Sequence, residues 1–200
     1  MLFHISWLAI FASLISILYV ICNNNEVLGQ SLDQTYANSQ CGISIHYPSN
    51  WISGEDNDDD ATVNNFIVEI QPNTPDGYKT AASIELDDIS GRSDRTFTGV
   101  KNFEVGTLTA QGELKKIMMT EPTQIAGYPA EKIVYVAGSK AISDNEGFKK
   151  MKVILVAFDR EYVITFHANS PDYYDNNIST FEDMLTTFQI TQPKFDGISC

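Results

Sequence analysis

A chain of 200 residues with 43% hydrophobic and 11% aromatic residues can bury a sizeable core, so it is not a disordered protein, and its length fits one domain with an export segment. The formal net charge of −13 argues against nucleic-acid binding, which needs basic patches, and against simple electrostatic docking to anionic lipid. These totals favour a well-solvated, acidic, exported domain.

Residues 1–29 are predicted to be an export segment. The run ISWLAIFASLISILYVIC is almost continuously apolar, and Val27 and Gly29 suit a signal peptidase site. No Lys or Arg precedes the run, and its 18 residues reach the lower limit for a membrane-spanning helix. Residues 1–29 are therefore either a cleaved signal peptide or an uncleaved N-terminal membrane anchor. Both alternatives place residues 30–200 outside the cytoplasm, secreted or anchored to the outer face of the cytoplasmic membrane.

The folded domain is predicted to span residues 41–192, between a polar, irregular lead-in at residues 30–40 and a C-terminal tail at residues 193–200. Its first stretch, CGISIHYPSNW, alternates apolar and polar residues, which predicts a half-buried strand that Pro48 ends. Trp51 is the only Trp outside the export segment, and we expect it to close one end of the core.

Further strands are indicated wherever short apolar runs alternate with polar residues or are bounded by turn residues. They are predicted at residues 62–71, 80–89, 114–120, 131–137, 149–158 and 161–168. Lys115 and Lys116 are expected to discourage outside pairing of an edge strand at 114–120. The unbroken run IVYV at 133–136 predicts a strand covered on both faces.

Two helices are predicted between and after these strands. A gapped apolar stripe indicates the first at residues 95–110. Ser179 and Glu182 form a capping box before an apolar stripe, which predicts the start of the second. The predicted fold class is α+β, with an antiparallel β-sheet of about six or seven strands packed with helices.

Two cysteines, Cys41 and Cys200, remain once the export segment is removed. An even pair in an exported chain predicts a disulfide, which would tie the C-terminal tail to the first strand. Two unpaired thiols, one of them at a frayed terminus, are the alternative.

An acidic run, EDNDDD at residues 55–60, suggests a cation site, because Asp56, Asp58 and Asp60 offer the oxygen ligands that calcium takes. The run is not an EF-hand, since Ala61 and Ile67 occupy the positions where that loop needs Gly and Glu. The alternatives are a weak extracellular calcium site and a solvated acidic loop.

No catalytic constellation is evident, and the sequence predicts a protein that is not an enzyme. It has no G-x-S-x-G motif, and no Cys–His pairing is supported. His46 and His167 could share a metal ion only if their strands were neighbours. Calcium is the one cofactor that the sequence suggests.

Tyr173 and Tyr174 are predicted to lie in the loop before the last helix. Exposed paired tyrosines suit a protein interaction surface. The alternative is that one of them packs under the helix.

The blocks GISIHYPSNW, IAGYPAEKIVY, KVILVAFDREYVITFHA and FEDMLTTFQI come in an order that resembles the PsbP family over about residues 40–190. The resemblance implies a sandwich of sheet and helices and no catalysis. The photosynthetic members of the family are extrinsic subunits and relatives of photosystem II. By this analogy, the chain is expected to be an accessory or assembly factor that binds a membrane-associated protein complex. The alternative function is an exported small-ligand or calcium-binding protein.

Overall fold

The computed structural model describes residues 30–55, 66–74, 79–138 and 148–194. The chain divides into two units, residues 1–30 and 31–200, and all the described helices and strands belong to the second unit. None of these helices is long and apolar enough to cross a membrane. The predicted export segment and the acidic residues after Glu55 lie outside the described ranges.

Within those ranges the elements form two antiparallel sheets and two helices. The strands are β1 (Gln34–Asn38), β2 (Ile43–Tyr47), β3 (Trp51–Glu55), β4 (Phe66–Pro72), β5 (Thr80–Asp88), β6 (Leu114–Ile125), β7 (Tyr128–Ala137), β8 (Phe148–Ala157), β9 (Arg160–Ala168) and β10 (Gln189–Ile190). The helices are α1 (Phe97–Ala110) and α2 (Pro171–Thr187). The large sheet has the order β3-β4-β5-β9-β8-β7-β6, and the small sheet has the order β1-β2-β10.

The seven-stranded sheet is the central layer, and its two faces are buried by different elements. One face packs against α2 and the small sheet, in a core that includes Trp51 and Phe181. The opposite face packs against α1, in a core that includes Val100. Strand β7 supplies Val134 to the first core and Ile133 to the second, which confirms that the run IVYV is buried on both faces.

Two tight hairpins at the same end of the sheet are closed by residues in the left-handed region. Ala126 and Gly127, with φ of 51° and 86°, connect β6 to β7, and Phe158 and Asp159, with φ of 53° and 55°, connect β8 to β9. Two consecutive positive φ angles match the twist of antiparallel strands. The predicted strands at 149–158 and 161–168 left residues 159–160 for the turn of the second hairpin. The turn lies one residue earlier, at Phe158 and Asp159.

The predicted fold class is confirmed, and the large sheet has the upper predicted number of strands. Helix α1 and the edge position of β6 also agree with the sequence. The prediction of an irregular lead-in at residues 30–40 was wrong, because β1 lies within this segment. Strand β1 pairs with β2, and Tyr36 lies opposite Ile45. Residues 51–55 form β3, a strand that the sequence did not predict, and they pair with β4. Tyr36 is the one buried residue of β1, so this strand lacks the alternation that would have revealed it.

The start of α2 is a second correction, because the helix begins at Pro171 rather than near Ser179. Ser170 is the N-cap, and its hydroxyl accepts a hydrogen bond from the Tyr173 backbone N–H at 3.3 Å. Pro at the first helical position and Asp172 in the first turn suit this start.

Candidate interaction surface

Strand β6 lies at one edge of the large sheet, and neither α1 nor α2 covers most of it. Residues 116–122 are all exposed, and among them are three large apolar side chains. Ile117 is 42% exposed, Met118 is 52% exposed and Met119 is 41% exposed. We call Ile117, Met118 and Met119 the β6 strip. Apolar side chains that are exposed side by side mark interaction sites more often than scattered ones do.

Irregularities in β6 make its free backbone edge unsuited to regular pairing with another strand. The pairing with β7 shifts register between Leu114 and Lys116 and again between Ile117 and Met119. Such bulges twist an edge, and Pro122 removes one backbone donor. The strip therefore offers side chains to a partner rather than a regular ladder of hydrogen bonds.

Helix α1 stops short of covering the strip because its buried side chains reach the neighbouring strands. Val100 and Leu108 pack with Ile133 and Ile154, which belong to β7 and β8. On the outer side of α1, Phe103 is 54% exposed and lies under the Arg92 guanidinium, 4.5 Å from its ring centroid. This arrangement adds an exposed aromatic ring to the α1 side of the molecule.

A cluster of charged side chains lies on the sheet face that α1 covers. Arg92 donates to Glu161 Oε2 at 2.7 Å and to Asp87 Oδ2 at 2.9 Å. Lys152 donates to Glu104 Oε2 at 2.7 Å, which links β8 to α1. The Glu161 side chain is only 1% exposed, and its Oε1 atom has no hydrogen-bond partner within the described part of the chain.

Burial dominates the protonation of this cluster. It raises the pKa of Glu161 to about 7, with a further increase from Glu104 and a partial decrease from Arg92. Burial also raises the pKa of Glu85 and of Asp87 on the adjacent strand. The carboxyl groups of this cluster outnumber its two cations, Arg92 and Lys152.

Glu161 has the pKa of a general acid or base, but its position does not suit catalysis. A catalytic group has to reach the proton that it transfers, and the Glu161 carboxyl is buried and held by Arg92. We interpret the cluster as a structural connection between α1, the preceding loop and the sheet. No local sequence pattern predicts this cluster, because Arg92 and Glu161 are 69 residues apart.

The predicted tyrosine surface is corrected by the position of these residues inside α2. Tyr174 is 2% exposed and packs against Phe166, with 5.4 Å between ring centroids. Burial raises its pKa to about 12, and Glu182 and Asp175 add to the increase. Tyr173 is half-buried, and its hydroxyl accepts a hydrogen bond from Lys79 Nζ at 3.2 Å. Tyr174 is thus a core residue, and Tyr173 alone remains a surface candidate.

The structure does not bring the two predicted histidines together. His46 lies in β2 of the small sheet, and His167 lies in β9 of the large sheet. Burial and the nearby Lys150 lower the pKa of His167. Within the described part of the chain, no group of three or more His, Cys, Asp or Glu side chains could hold a metal ion. Asp56, Asp58 and Asp60 lie outside that part, so their calcium site stays a prediction.

Cys41 is fully buried in the larger core, whereas Cys200 lies outside the described residues. Residues 191–194 run beside the residues that flank Cys41. The backbone N–H of Thr191 donates to Gly42 O at 2.7 Å, and that of Lys194 donates to Gln40 O at 3.0 Å. The Cys41–Cys200 bridge therefore stays a prediction.

Taken together, the layers define an α+β sandwich domain with an uncovered sheet edge, and solved structures share this fold. The chain superimposes on cyanobacterial PsbP (CyanoP) from Synechocystis sp. PCC 6803 with a TM-score of 0.56 and 16% identity. The match covers 82% of this chain and 99% of CyanoP. The chain also resembles the Ran-binding protein Mog1p of Saccharomyces cerevisiae, with a TM-score of 0.54, 12% identity and coverage of 81% and 97%.

The family follows from the sequence itself. Residues 21–190 match the family described as PsbP-like protein. The chain belongs to this family, and the resemblance seen in its ordered sequence blocks is confirmed. A comparison with curated proteins gives no match.

Proposed function

We propose that this protein is a non-catalytic, extracytoplasmic PsbP-like domain that acts as an accessory or assembly factor by binding a membrane-associated protein complex. The observation that carries the proposal is the β6 strip, three large apolar side chains left exposed at the edge of an otherwise well-buried sheet. Burial of such side chains against a partner is favourable in proportion to the apolar area removed from water.

The fold of the relatives supports a binding role. One of the two superimposed structures is described as a Ran-binding protein, so a protein with this fold has a binding role. At 12% identity this comparison concerns the fold alone and does not indicate the partner of this chain. The extracytoplasmic location rests on the apolar sequence of residues 1–29.

The proposal is tested by affinity capture of the native protein from its own envelope after gentle crosslinking, with mass spectrometry of the captured proteins. We expect a reproducible membrane complex with the wild-type protein. The double variant Ile117→Ser/Met119→Ser should reduce its recovery at least tenfold, because it removes two apolar contacts of roughly 1.5–3 kcal/mol each when fully buried.

Phe158→Ser is the matched control, since Phe158 is 45% exposed but lies at a hairpin tip away from the strip. This control should capture the complex as well as the wild-type protein does. Equal recovery with the strip variant would contradict the role of β6, and a wild-type protein that captures nothing would contradict the proposed function.

Calcium binding by the acidic loop is the second candidate function. The run at residues 56–60 follows directly on β3, and the last residue of that strand, Glu55, adds a carboxyl group at its start. Six acidic residues and no Lys or Arg lie between residues 51 and 71. Carboxylate oxygens at this density are the ligands that calcium prefers.

If the loop binds calcium, 10 mM calcium chloride is expected to raise the melting temperature by about 3 °C, as for a site of roughly millimolar affinity. The double variant Asp58→Ala/Asp60→Ala should lose this increase. Sodium chloride at equal ionic strength controls for screening of the net negative charge. An equal increase in sodium chloride, or in the double variant, would contradict the calcium site.

A further inference from the structure

The positive charges of this chain are confined to its later part. The first Lys or Arg is Lys79, so residues 30–78 carry eight acidic residues and no basic one. This segment supplies β1 to β4, which include the edge of the large sheet opposite β6. The described residues of that edge, in β3 and β4, therefore carry Glu55 and Glu69 and no basic residue.

A groove with a volume of 320 Å³ lies on this edge, between β3 and β4. Its lining residues are Ile52, Ser53, Gly54, Glu55, Phe66, Glu69 and Gln71. Ile52 and Phe66 are apolar, and Glu69 carries a carboxyl group. The Glu55 side chain lies on the opposite face of the sheet, where it meets Tyr36. None of the lining residues is basic. The groove thus combines apolar contact area with negative charge.

The polar atoms of the groove include more acceptors than donors. Gln71 Oε1 is buried and accepts no hydrogen bond from the described residues. Burial raises the pKa of Glu69, because its carboxylate loses hydration and no cation compensates for that loss. Glu55 Oε1 accepts a hydrogen bond from the Tyr36 hydroxyl at 2.9 Å, which holds that carboxyl group on the opposite face. A buried acceptor without a donor is costly, so a ligand that brings donors and positive charge would be stabilised here.

We propose that this groove binds a lysine or arginine side chain from an extended segment of a protein partner. The aliphatic stem contacts Ile52 and Phe66, while the charged head donates to the Glu69 carboxylate and to Gln71 Oε1. Strand β3 is an edge strand, so an extended segment can lie beside it. The inference rests on the proposed protein-binding function and adds the chemistry of the partner.

Gly54 offers a variant that blocks the groove without changing its charge. A Cβ atom added there meets no atom of the described residues within 4 Å, so a larger side chain has room beside them. Gly54 lies in a strand, where replacing glycine does not weaken the element. Gly54→Leu is therefore expected to fold and to occupy the groove, whereas Glu69→Gln removes one charge and leaves the shape unchanged.

The experiment is a titration of the ¹⁵N-labelled protein, followed by NMR, with the acetylated and amidated peptide Thr-Lys-Thr-Lys-Thr. The amide signals of Ile52, Gly54 and Glu69 are expected to shift and to saturate. Acetylation of both peptide lysines, Gly54→Leu and Glu69→Gln should each weaken binding about tenfold, the factor that one charge-assisted hydrogen bond supplies. Asp183→Asn, at an exposed position of α2, should have no effect.

Shifts spread over the whole acidic surface, or equal binding by Gly54→Leu, would overturn the groove assignment. The envelope capture distinguishes this failure from failure of the proposed function. If Gly54→Leu captures the same complex with the same yield as wild type, the groove inference is wrong and the proposed function stands. If the peptide saturates the groove but no complex is captured, the groove stands and the proposed function fails.

Discussion

Replacement of Trp51 by alanine is expected to lower the free energy of unfolding by about 3–5 kcal/mol, the cost of deleting a buried large aromatic side chain. Trp51 is 3% exposed and belongs to the core between the large sheet, the small sheet and α2. It is also the first residue of β3, where its backbone N–H donates to Pro48 O at 2.9 Å. The large cavity left by alanine would lie where the chain passes from the small sheet to the large one.

Urea denaturation of the wild-type and variant proteins measures this difference. Ile52→Ala is the matched control, since Ile52 is the next residue in the chain and is 44% exposed. We expect the control to lose about 0.5 kcal/mol or less. If Trp51→Ala does not fold, Trp51→Phe should still be less stable than wild type. A Trp51→Ala variant as stable as its control would show that the core does not depend on this side chain.

The stability of the domain is expected to decrease as the pH rises from about 4.5 to 7, because Glu161 has a raised pKa in the folded state. Its pKa is about 7 in the fold and 4.5 in a solvated chain, so between these values only the folded state holds the proton. Unfolding then releases a proton, and stability decreases with increasing pH. The shift corresponds to about 3 kcal/mol, lost in full above pH 7.

Burial is the largest cause of the raised pKa of Glu161, and neighbouring charged groups modify it. Asp87 and Glu104 increase the preference of Glu161 for the protonated form, and Arg92 decreases it. Burial raises the pKa of Asp87 as well, and that of Glu85, so these groups add to the pH dependence with the same sign.

Denaturation curves at pH 5, 6, 7 and 8 test this prediction with Glu161→Gln. The glutamine keeps an oxygen for Arg92 but cannot ionise, so the variant should lose most of the decrease in stability between pH 5 and 8. Asp183→Asn, which removes an exposed carboxyl group on α2, should follow the wild-type curve. A Glu161→Gln variant with the wild-type pH dependence would place the titrating group elsewhere.

Sequence patterns predicted the elements that have strong local signals. The β8–β9 hairpin places Tyr162, Ile164 and Phe166 in one core, as their alternation indicated. The unbroken apolar run IVYV indicated a strand buried on both faces, which is β7. These features depend on neighbours in the chain, so their signals are contained in short stretches of sequence.

The structure was needed wherever an element depends on a distant partner. Strand β10 has two residues and exists because it pairs with Ser44 and Ile43 of β2. Helix α2 begins at Pro171 because Tyr174, in its first turn, packs on Phe166. A second possible cap at Ser179 gave the sequence two competing starts, and tertiary packing selects the earlier one.

The sequence by itself determined the fold class, the family and the acidic character of this protein, because apolar periodicity, ordered blocks and composition are properties of the chain. The candidate sites were decided by the tertiary structure. Whether Ile117, Met118 and Met119 are buried depends on how far α1 extends over the sheet. The groove near Glu69 exists because β3 joins the sheet as an edge strand, and the burial of Glu161 depends on its distant partner Arg92. Exposure and pKa are set by such long-range contacts, which no local pattern encodes.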